Sequence, residues 1–122
     1  MAIPKTQVKK RDYQEFQDKF GLGPCGPIAY ILRERGHGDI YFGYFGPPED
    51  LIKSFPHFWI ENKRGQIIDL ANSDRKRKGL SYWDKEKLAK HEMPDLVDIE
   101  MINFWREKFG LKAKEESIEI CI

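Results

Sequence analysis

Apolar residues recur at helical spacing in two segments near the start of the chain. Aromatic residues three and four positions apart mark one face of residues 12–20, and Gly21 follows as a stop signal. An aliphatic stripe marks residues 27–35, where Pro27 suits the first turn of a helix because an N–H group there has no helical partner. Gly36 is suited to a left-handed cap. The pattern predicts two short helices joined by a Gly- and Pro-rich segment.

The hydrophobic period changes to that of β-strands after the second helix. Residues 40–45, IYFGYF, are rich in strand formers and end at a Gly-Pro-Pro break. Further along, apolar residues at near-helical spacing predict a C-terminal helix over 95–109, with Asp95 as its N-cap. The pattern over 81–93 is ambiguous, and the alternating tail, 112–122, predicts a closing strand.

Residues 55–61 and 66–71 predict a β-hairpin whose register follows from its loop. With a three-residue loop over 63–65, a glycine takes the left-handed position that such loops require. This register places His57 and Asp69 as diagonal neighbours on one face, with Cβ atoms about 7–8 Å apart. A four-residue loop would separate them and mix apolar with polar side chains. The residues that share the opposite, apolar face are Phe58, Ile60, Ile68 and Leu70.

The composition excludes several classes of protein. The chain has 122 residues, of which 40% are hydrophobic and 34% charged, and its net charge is +1. We expect a single domain over 1–122, with polar, basic residues 1–11 as a loosely held arm. Near-zero net charge disfavours a general nucleic-acid binder, and two cysteines are too few for a disulfide scaffold. Because no apolar run approaches the roughly 20 residues of a membrane span and the start lacks a signal segment, we expect a cytoplasmic protein without a membrane partner.

Three residues of this pattern have the chemistry of a thiol nucleophile site. Cys25 precedes the second predicted helix, and the unpaired N–H groups at a helix N-terminus stabilise a thiolate. If that helix packs against the hairpin, the thiol meets His57 and Asp69. The thiolate then attacks a carbonyl, the imidazole transfers the proton and the carboxylate orients the imidazole. Because a lone cysteine on an apolar helix face is usually inert, the hypothesis depends on all three residues together.

The sequence also offers candidates for binding the oxyanion of an attacked carbonyl. The backbone N–H of Cys25 could supply one donor. Gln14 or Gln17, on the first predicted helix, could supply a second, although several other polar residues lie equally near in the sequence. Gly23 and Gly26 flank the cysteine and are expected to lie beside the site.

The same segments resemble the core of a known superfamily. GPCGPIAYILRERG, HFWIE and GQIIDLA are similar to the papain-like and transglutaminase-like cysteine enzymes, in which a helix begins at the nucleophilic cysteine and the following strands carry a histidine and an aspartate. His57, Trp59 and Glu61 match the frequent pattern His-x-Trp-x-Glu. The short spacings look most like those of bacterial transglutaminase-like peptidases, including lasso-peptide leader peptidases. Pro27 and Pro56 are departures from the pattern.

The resemblance covers residues 21–72 and implies both a fold and an activity. The implied fold is α+β and papain-like, with a helix that starts at the nucleophile packed on a small antiparallel sheet. The implied roles are nucleophile for Cys25, base for His57 and orienting carboxylate for Asp69, with Trp59 beside the site. The implied activity is that of a thiol hydrolase or acyl transferase, of the protease, deamidase or transglutaminase type. Its substrate would be a peptide or protein amide, and no metal or organic cofactor is implied.

Two other uses of the cysteine and histidine residues stay open. A zinc ion could be bound by the three candidate residues together with His37 or His91, but the closely spaced ligand pairs typical of structural zinc sites are absent from the sequence. A disulfide between Cys25 and Cys121 is arithmetically possible, but a reducing location disfavours it.

A non-catalytic binding module is the alternative function. The basic run Arg75, Lys76, Arg77 and Lys78 could dock an acidic protein or a nucleic-acid backbone. Because the net charge of the chain is near zero, we favour a solvated loop for this run, with nucleic-acid binding as the less expected use.

Overall fold

Three helices and a four-stranded antiparallel sheet make up the part of the chain that the computed structural model describes, residues 7–113. The elements in chain order are α1 (Lys10–Phe20), α2 (Cys25–Glu34), β1 (Asp39–Gly46), β2 (Phe55–Glu61), β3 (Ile67–Ile68), β4 (Ser81–Lys87) and α3 (Ile99–Lys108). The fold is α+β, and the predicted small antiparallel sheet is present. None of the helices within 7–113 has both the length and the apolar character that crossing a membrane requires.

The strand that carries the candidate histidine lies inside the sheet. The strand order is β3-β2-β1-β4, and α2 packs against β2 and β1. α2 also contacts α3, which in turn contacts α1, so α2 lies between the sheet and the other helices. A buried apolar cluster joins Ile28 and Leu32 of α2 to Ile60 of β2 and Trp105 of α3. This packing fixes the start of α2 relative to β2.

Both predicted N-terminal helices are confirmed, and each begins two residues earlier than predicted. α1 starts at Lys10, and α2 starts at Cys25 rather than at Pro27. Gly36 takes the predicted left-handed conformation, with φ of 83°, after the end of α2. The candidate nucleophile is therefore the first residue of its helix.

The predicted three-residue hairpin loop is confirmed. The N–H of Asn62 donates to the carbonyl of Gln66 at 3.0 Å, and Gly65 has φ of 75°. This register puts His57 and Asp69 on the same face of the hairpin, as the separation of polar from apolar side chains requires.

The second arm of the hairpin is shorter than predicted. A strand was expected over 66–71, but only Ile67–Ile68 pairs with β2. The carbonyl of Leu70 instead accepts the N–H of Val8 at 2.9 Å. Val8 belongs to the arm that the sequence predicts to be loosely held, but this hydrogen bond holds its backbone against the hairpin. Residues 1–6 lie outside the described part of the chain.

The C-terminal helix is confirmed, but its predicted start is wrong. The helix begins at Ile99, and Asp98 rather than Asp95 is the N-cap, because the Asp98 carboxylate accepts the N–H of Met101 at 3.0 Å. Leu96 has φ of 65°, a left-handed conformation that an L-residue cannot continue as a helix. Apolar spacing alone did not reveal this break.

The remaining segments of the chain are residues 81–93, which include a strand, and the tail over 112–122. The ambiguous stretch 81–93 contains β4, which pairs with β1 with a shift of register between Phe42 and Tyr44. The predicted closing strand, 112–122, falls almost wholly outside the described residues, and so does Cys121.

Candidate active site

The start of α2 places a thiol and free backbone N–H groups at the edge of a cleft. Pro24 is the N-cap, and its carbonyl accepts the N–H of Ile28 at 3.1 Å. Because Pro27 has no N–H group, the first-turn N–H groups without a helical partner are those of Cys25 and Gly26. Cys25 is half-buried and lines this cleft.

A buried imidazole and a buried carboxylate lie against each other on the polar face of the hairpin. Nε2 of His57 is 2.7 Å from Oδ2 of Asp69, and both side chains are almost completely removed from solvent. Because a carboxylate can only accept, Nε2 carries the proton of this hydrogen bond. Nδ1 is then the ring nitrogen that can exchange a proton with a nucleophile.

The thiol of Cys25 lies in the wall of the same cleft as the imidazole of His57. Burial by itself lowers the pKa of His57, but the hydrogen bond to Asp69 and the negative charges of Asp69 and Cys25 outweigh it and raise the pKa from 6.5 to about 9. The imidazole is therefore cationic at neutral pH.

A tyrosine that the sequence did not single out holds the carboxylate. Oη of Tyr82, in β4, donates to Oδ2 of Asp69 at 2.5 Å, and Nδ2 of Asn72 donates to Tyr82 Oη at 3.3 Å. Burial and the negative charge of Asp69 raise the pKa of Tyr82, so its phenol stays protonated as a donor. β4 reaches this position through its pairing with β1. The sequence pattern of the hairpin therefore could not predict the contact between Tyr82 and Asp69.

The backbone of Asp69 is held from two sides. Its carbonyl accepts from Nε2 of Gln7 at 2.6 Å and from Nη1 of Arg75 at 3.2 Å. Arg75 is half-buried and supports the site, so the sequence-based expectation of a solvated residue is wrong for this position. The residues of the predicted basic run that are exposed are Lys76, Arg77 and Lys78.

The His-x-Trp-x-Glu segment builds a second polar contact beside the site. The ring of Trp59 stacks near that of His57, with centroids 6.2 Å apart and an interplanar angle of 20°. Nε1 of Trp59 donates to Glu61 at 2.9 Å, and Nζ of Lys85 donates to both Glu61 oxygens at 2.9 and 3.0 Å. Gly43 leaves room for the indole, since a Cβ there would lie 2.9 Å from Trp59 Cη2.

A cleft of about 670 Å³ opens beside the thiol and the imidazole. Cys25, His57 and Gln17 line it, so Gln17 is placed where an oxyanion donor could act. Gln14 does not line the cleft. It donates to Asp18 at 2.9 Å on the exposed side of α1, so the structure does not bring it to the site.

Tyr13 is a further polar group of the cleft that the sequence analysis missed. It lies one helical turn before Gln17 on α1, and a Cβ on Gly23 would lie 3.4 Å from its hydroxyl. Burial, with the nearby negative charges of Cys25 and Asp69, raises the pKa of Tyr13. A phenol that stays neutral beside the thiol is a candidate oxyanion donor. The two predicted flanking glycines, Gly23 and Gly26, line the same cleft.

Neither histidine considered as a further zinc ligand lies with Cys25, His57 and Asp69. Among residues 7–113, no group of three His, Cys, Asp or Glu side chains is arranged to hold a metal ion. His37 lines a separate cavity beside β3, and His91 is exposed after β4.

Comparison with known proteins adds no family to this geometry. No family model, curated protein or solved structure matches the chain. The functional argument therefore depends on the side chains of the cleft and their contacts.

Proposed function

We propose that this protein is a thiol hydrolase or acyl transferase that acts on a peptide or protein amide through an acyl-enzyme. The observation that carries the proposal is the buried hydrogen bond between His57 and Asp69, with Cys25 in the wall of the cleft that His57 also lines. The three residues are of the types that these roles require. The resemblance to papain-like and transglutaminase-like enzymes, and to the bacterial peptidases among them, is part of this proposal.

The first half of the reaction forms the acyl-enzyme. The Cys25 thiolate attacks the amide carbon, a C–S bond forms, and the carbonyl electron pair moves to oxygen. In this proposal the backbone N–H groups of Cys25 and Gly26 stabilise the oxyanion, together with Gln17 or Tyr13, which line the same cleft. The oxyanion then re-forms the carbonyl as the C–N bond breaks, and the leaving amine takes the proton of the His57 imidazolium.

The second half releases the acyl group. Water, or an amine in a transfer reaction, attacks the thioester carbon while neutral His57 accepts its proton. The C–S bond breaks, and sulfur leaves as the thiolate beside the regenerated imidazolium. Asp69 keeps Nε2 protonated throughout, so that Nδ1 faces the sulfur in both halves. The steps need no metal or organic cofactor, and a reducing, cytoplasmic location would keep the sulfur reduced.

Alkylation of Cys25 as a function of pH tests the proposal. In a Cys121→Ser background, the rate of reaction with iodoacetamide is measured by mass spectrometry between pH 5.5 and 9. An ordinary thiol with a pKa near 8.5 loses about a hundredfold in rate from pH 8.5 to pH 6. We expect the Cys25 rate to change by less than about tenfold over this range, because the imidazolium stabilises the thiolate.

The matched variants are His57→Ala and His37→Ala. The first removes the imidazole that lines the cleft with Cys25, and the second removes a half-buried histidine that lines a separate cavity. We expect ordinary thiol behaviour in His57→Ala and unchanged behaviour in His37→Ala. An ordinary profile in the parent protein, indifferent to His57, would leave the non-catalytic binding module, with exposed Lys76 to Lys78, as the better explanation.

A further inference from the structure

The wall of the cleft carries large apolar side chains that are open to solvent. Leu22 is 38% exposed, Phe55 is 45% exposed and Leu96 is 75% exposed, and all three line the cleft that holds Cys25 and His57. Exposed apolar side chains that converge on a concave surface mark a binding site for apolar groups. They come from three different parts of the chain, so the apolar wall is a product of the tertiary fold.

Leu96 is held in a conformation that its side chain disfavours. Its φ of 65° is rare for a residue with a Cβ, and backbone outliers of this kind cluster at functional sites. The loop is fixed by close packing on α2, since a Cβ on Gly26 would lie 2.7 Å from Cγ2 of Val97 and 3.5 Å from Cβ of Pro94. A glycine at position 96 would adopt this φ without strain. The chain instead carries a leucine there, and this leucine lines the cleft.

The formal charges at the cleft are unlike those of the chain as a whole. Lys and Arg make up 21 of the 122 residues, yet none of them is among the described residues that line the cleft. Its charged residues besides His57 are Asp74 and Asp95, both exposed, and neither forms an ion pair within residues 7–113. Exposed carboxylates beside a cleft attract a substrate group of positive charge.

We propose that the substrate is a peptide with a large aliphatic or aromatic residue next to the attacked carbonyl and a Lys or Arg close to it in sequence. The apolar side chain packs on Leu22, Phe55 and Leu96, and the cationic side chain lies near Asp74 and Asp95. This inference rests on the proposed function, because it assigns the substrate class of the same thiol site. The basic 76–78 segment takes no part in it.

Four peptides that end in a chloromethyl ketone test the inference. Each contains one variable residue, Leu or Ser, at the ketone and one variable residue, Lys or Glu, two positions before it. In the reaction the Cys25 thiolate displaces chloride and forms a C–S bond, and the rate of adduct formation is measured by mass spectrometry in the Cys121→Ser background. We expect Leu to react about tenfold or more faster than Ser, the range in which apolar pockets discriminate.

The charge preference should be smaller and should depend on salt. We expect the Lys peptides to react about two- to fivefold faster than the Glu peptides at low ionic strength, and this ratio should shrink as salt screens exposed charges. The double variant Asp74→Asn, Asp95→Asn should remove the Lys preference and keep the Leu preference. Glu49→Gln, at an exposed acidic position in another loop, is its matched control and should change neither.

Leu96→Gly tests the apolar wall without adding backbone strain, because glycine tolerates the left-handed conformation. We expect it to lower the Leu-to-Ser ratio by about threefold or more, whereas Ile52→Gly, at a side chain 95% exposed and outside the cleft, should leave the ratio unchanged. If Leu96→Gly failed to fold, Leu22→Ser would make the same test. Equal rates for all four peptides, with alkylation still dependent on His57, would overturn the substrate class and leave the proposed function standing. Slow, equal rates that do not depend on His57 would overturn both.

Discussion

Two polar clusters share one face of β2, and they differ in what lies at their ends. We call Cys25, His57, Asp69 and Tyr82 the triad cluster and Trp59, Glu61 and Lys85 the anchor cluster. Both contain a buried carboxylate bound by a ring N–H, at 2.7 Å in the first and 2.9 Å in the second. The triad cluster ends on a thiol in an open cleft, whereas the anchor cluster ends on Lys85, whose side chain is 49% exposed.

The difference shows that burial and hydrogen bonding do not by themselves make a reactive site. The carboxylate of Glu61 accepts hydrogen bonds from Trp59 and Lys85, and neither donor can pass a proton to a nucleophile. The contacts of Glu61 therefore stabilise the sheet. Asp69 is bound to a ring that lines the same cleft as the Cys25 thiol, so in the proposed reaction its contact orients the base. The two clusters therefore differ in the neighbour that α2 brings to one end of the strand face.

The largest effect is expected from Asp69→Asn. An amide would donate to Nε2, force the ring proton onto Nδ1 and prevent that nitrogen from accepting the thiol proton. Turnover of an amide substrate should fall about 10³-fold or more. The iodoacetamide rate of Cys25 at pH 6.5, measured by mass spectrometry, should fall about tenfold to a hundredfold, to that of an ordinary thiol.

Glu61→Gln is the matched change in the anchor cluster. It alters a buried carboxylate on the same face of the same strand and should leave the Cys25 alkylation rate within about twofold. A loss as large as that of Asp69→Asn would show that the two clusters act as one unit and would break the comparison.

The next largest effect is a loss of stability with rising pH. The pKa of His57 is about 9 in the folded protein against 6.5 ordinarily, so the stabilisation is complete below about pH 6.5 and is lost as pH rises through about 9. The free energy of unfolding in urea should fall by on the order of 3 kcal/mol between pH 6 and pH 9.5. The change is isolated as the difference between the parent protein and His57→Gln, in which this contribution is absent. A parallel pH dependence of the two proteins would contradict a raised pKa.

Tyr82→Phe should have an intermediate effect on the triad cluster. Loss of the hydroxyl leaves Asp69 Oδ2 with one donor fewer, so the carboxylate is less well oriented and its charge acts more strongly on His57. We expect the turnover of an amide substrate to fall about tenfold, which is the usual effect of losing a residue that orients a member of the site. The His57 titration, followed by NMR, should move to higher pH, which a purely structural role of Tyr82 would not produce.

Tyr44→Phe serves as the control for Tyr82→Phe. Tyr44 stacks on Trp83 in the same pair of strands, and within residues 7–113 it makes no hydrogen bond to Asp69, so the His57 titration should stay in place. An unchanged titration in Tyr82→Phe, or an equal shift in both variants, would remove Tyr82 from the triad cluster.

The smallest effect is expected in the anchor cluster, from Lys85→Met. The Lys85 end of the ion pair with Glu61 is half in solvent and therefore screened, and Glu61 keeps the Trp59 N–H as a donor, so the loss of Lys85 should lower the free energy of unfolding by about 1 kcal/mol. Urea denaturation measures this change, and the Cys25 alkylation profile should be unaltered. A change in the alkylation profile would mean that the anchor cluster also controls the thiol.

Much of the local structure could be predicted because it depends on neighbours in sequence. Gly65 sets the hairpin loop, the loop sets the register, and the register brings His57 to Asp69. The helix that begins at Cys25 follows from its Pro and Gly flanks and its aliphatic stripe. These are short-range constraints of backbone conformation and hydrophobic period.

The failures have a different physical origin. Tyr82 reaches Asp69 because β4 adds to the sheet on the far side of β1, and the pattern over 81–93 showed no period that would place it. Arg75 resembles its exposed neighbours in sequence, but its guanidinium turns to the carbonyl of Asp69. Asp95 looked like an N-cap because a left-handed Leu96 has no signature in the hydrophobic pattern.

The sequence by itself determined the α+β elements, the hairpin register and the pairing of an imidazole with a carboxylate. These depend on turn chemistry and on the alternation of side chains along a strand. Only the tertiary structure decided that Cys25 lines one cleft with that imidazole, that Tyr82 supports Asp69, and that Leu22, Phe55 and Leu96 share the same cleft. Such contacts join residues that are distant in the chain, and they are fixed by the packing of α2 on the sheet rather than by any local preference.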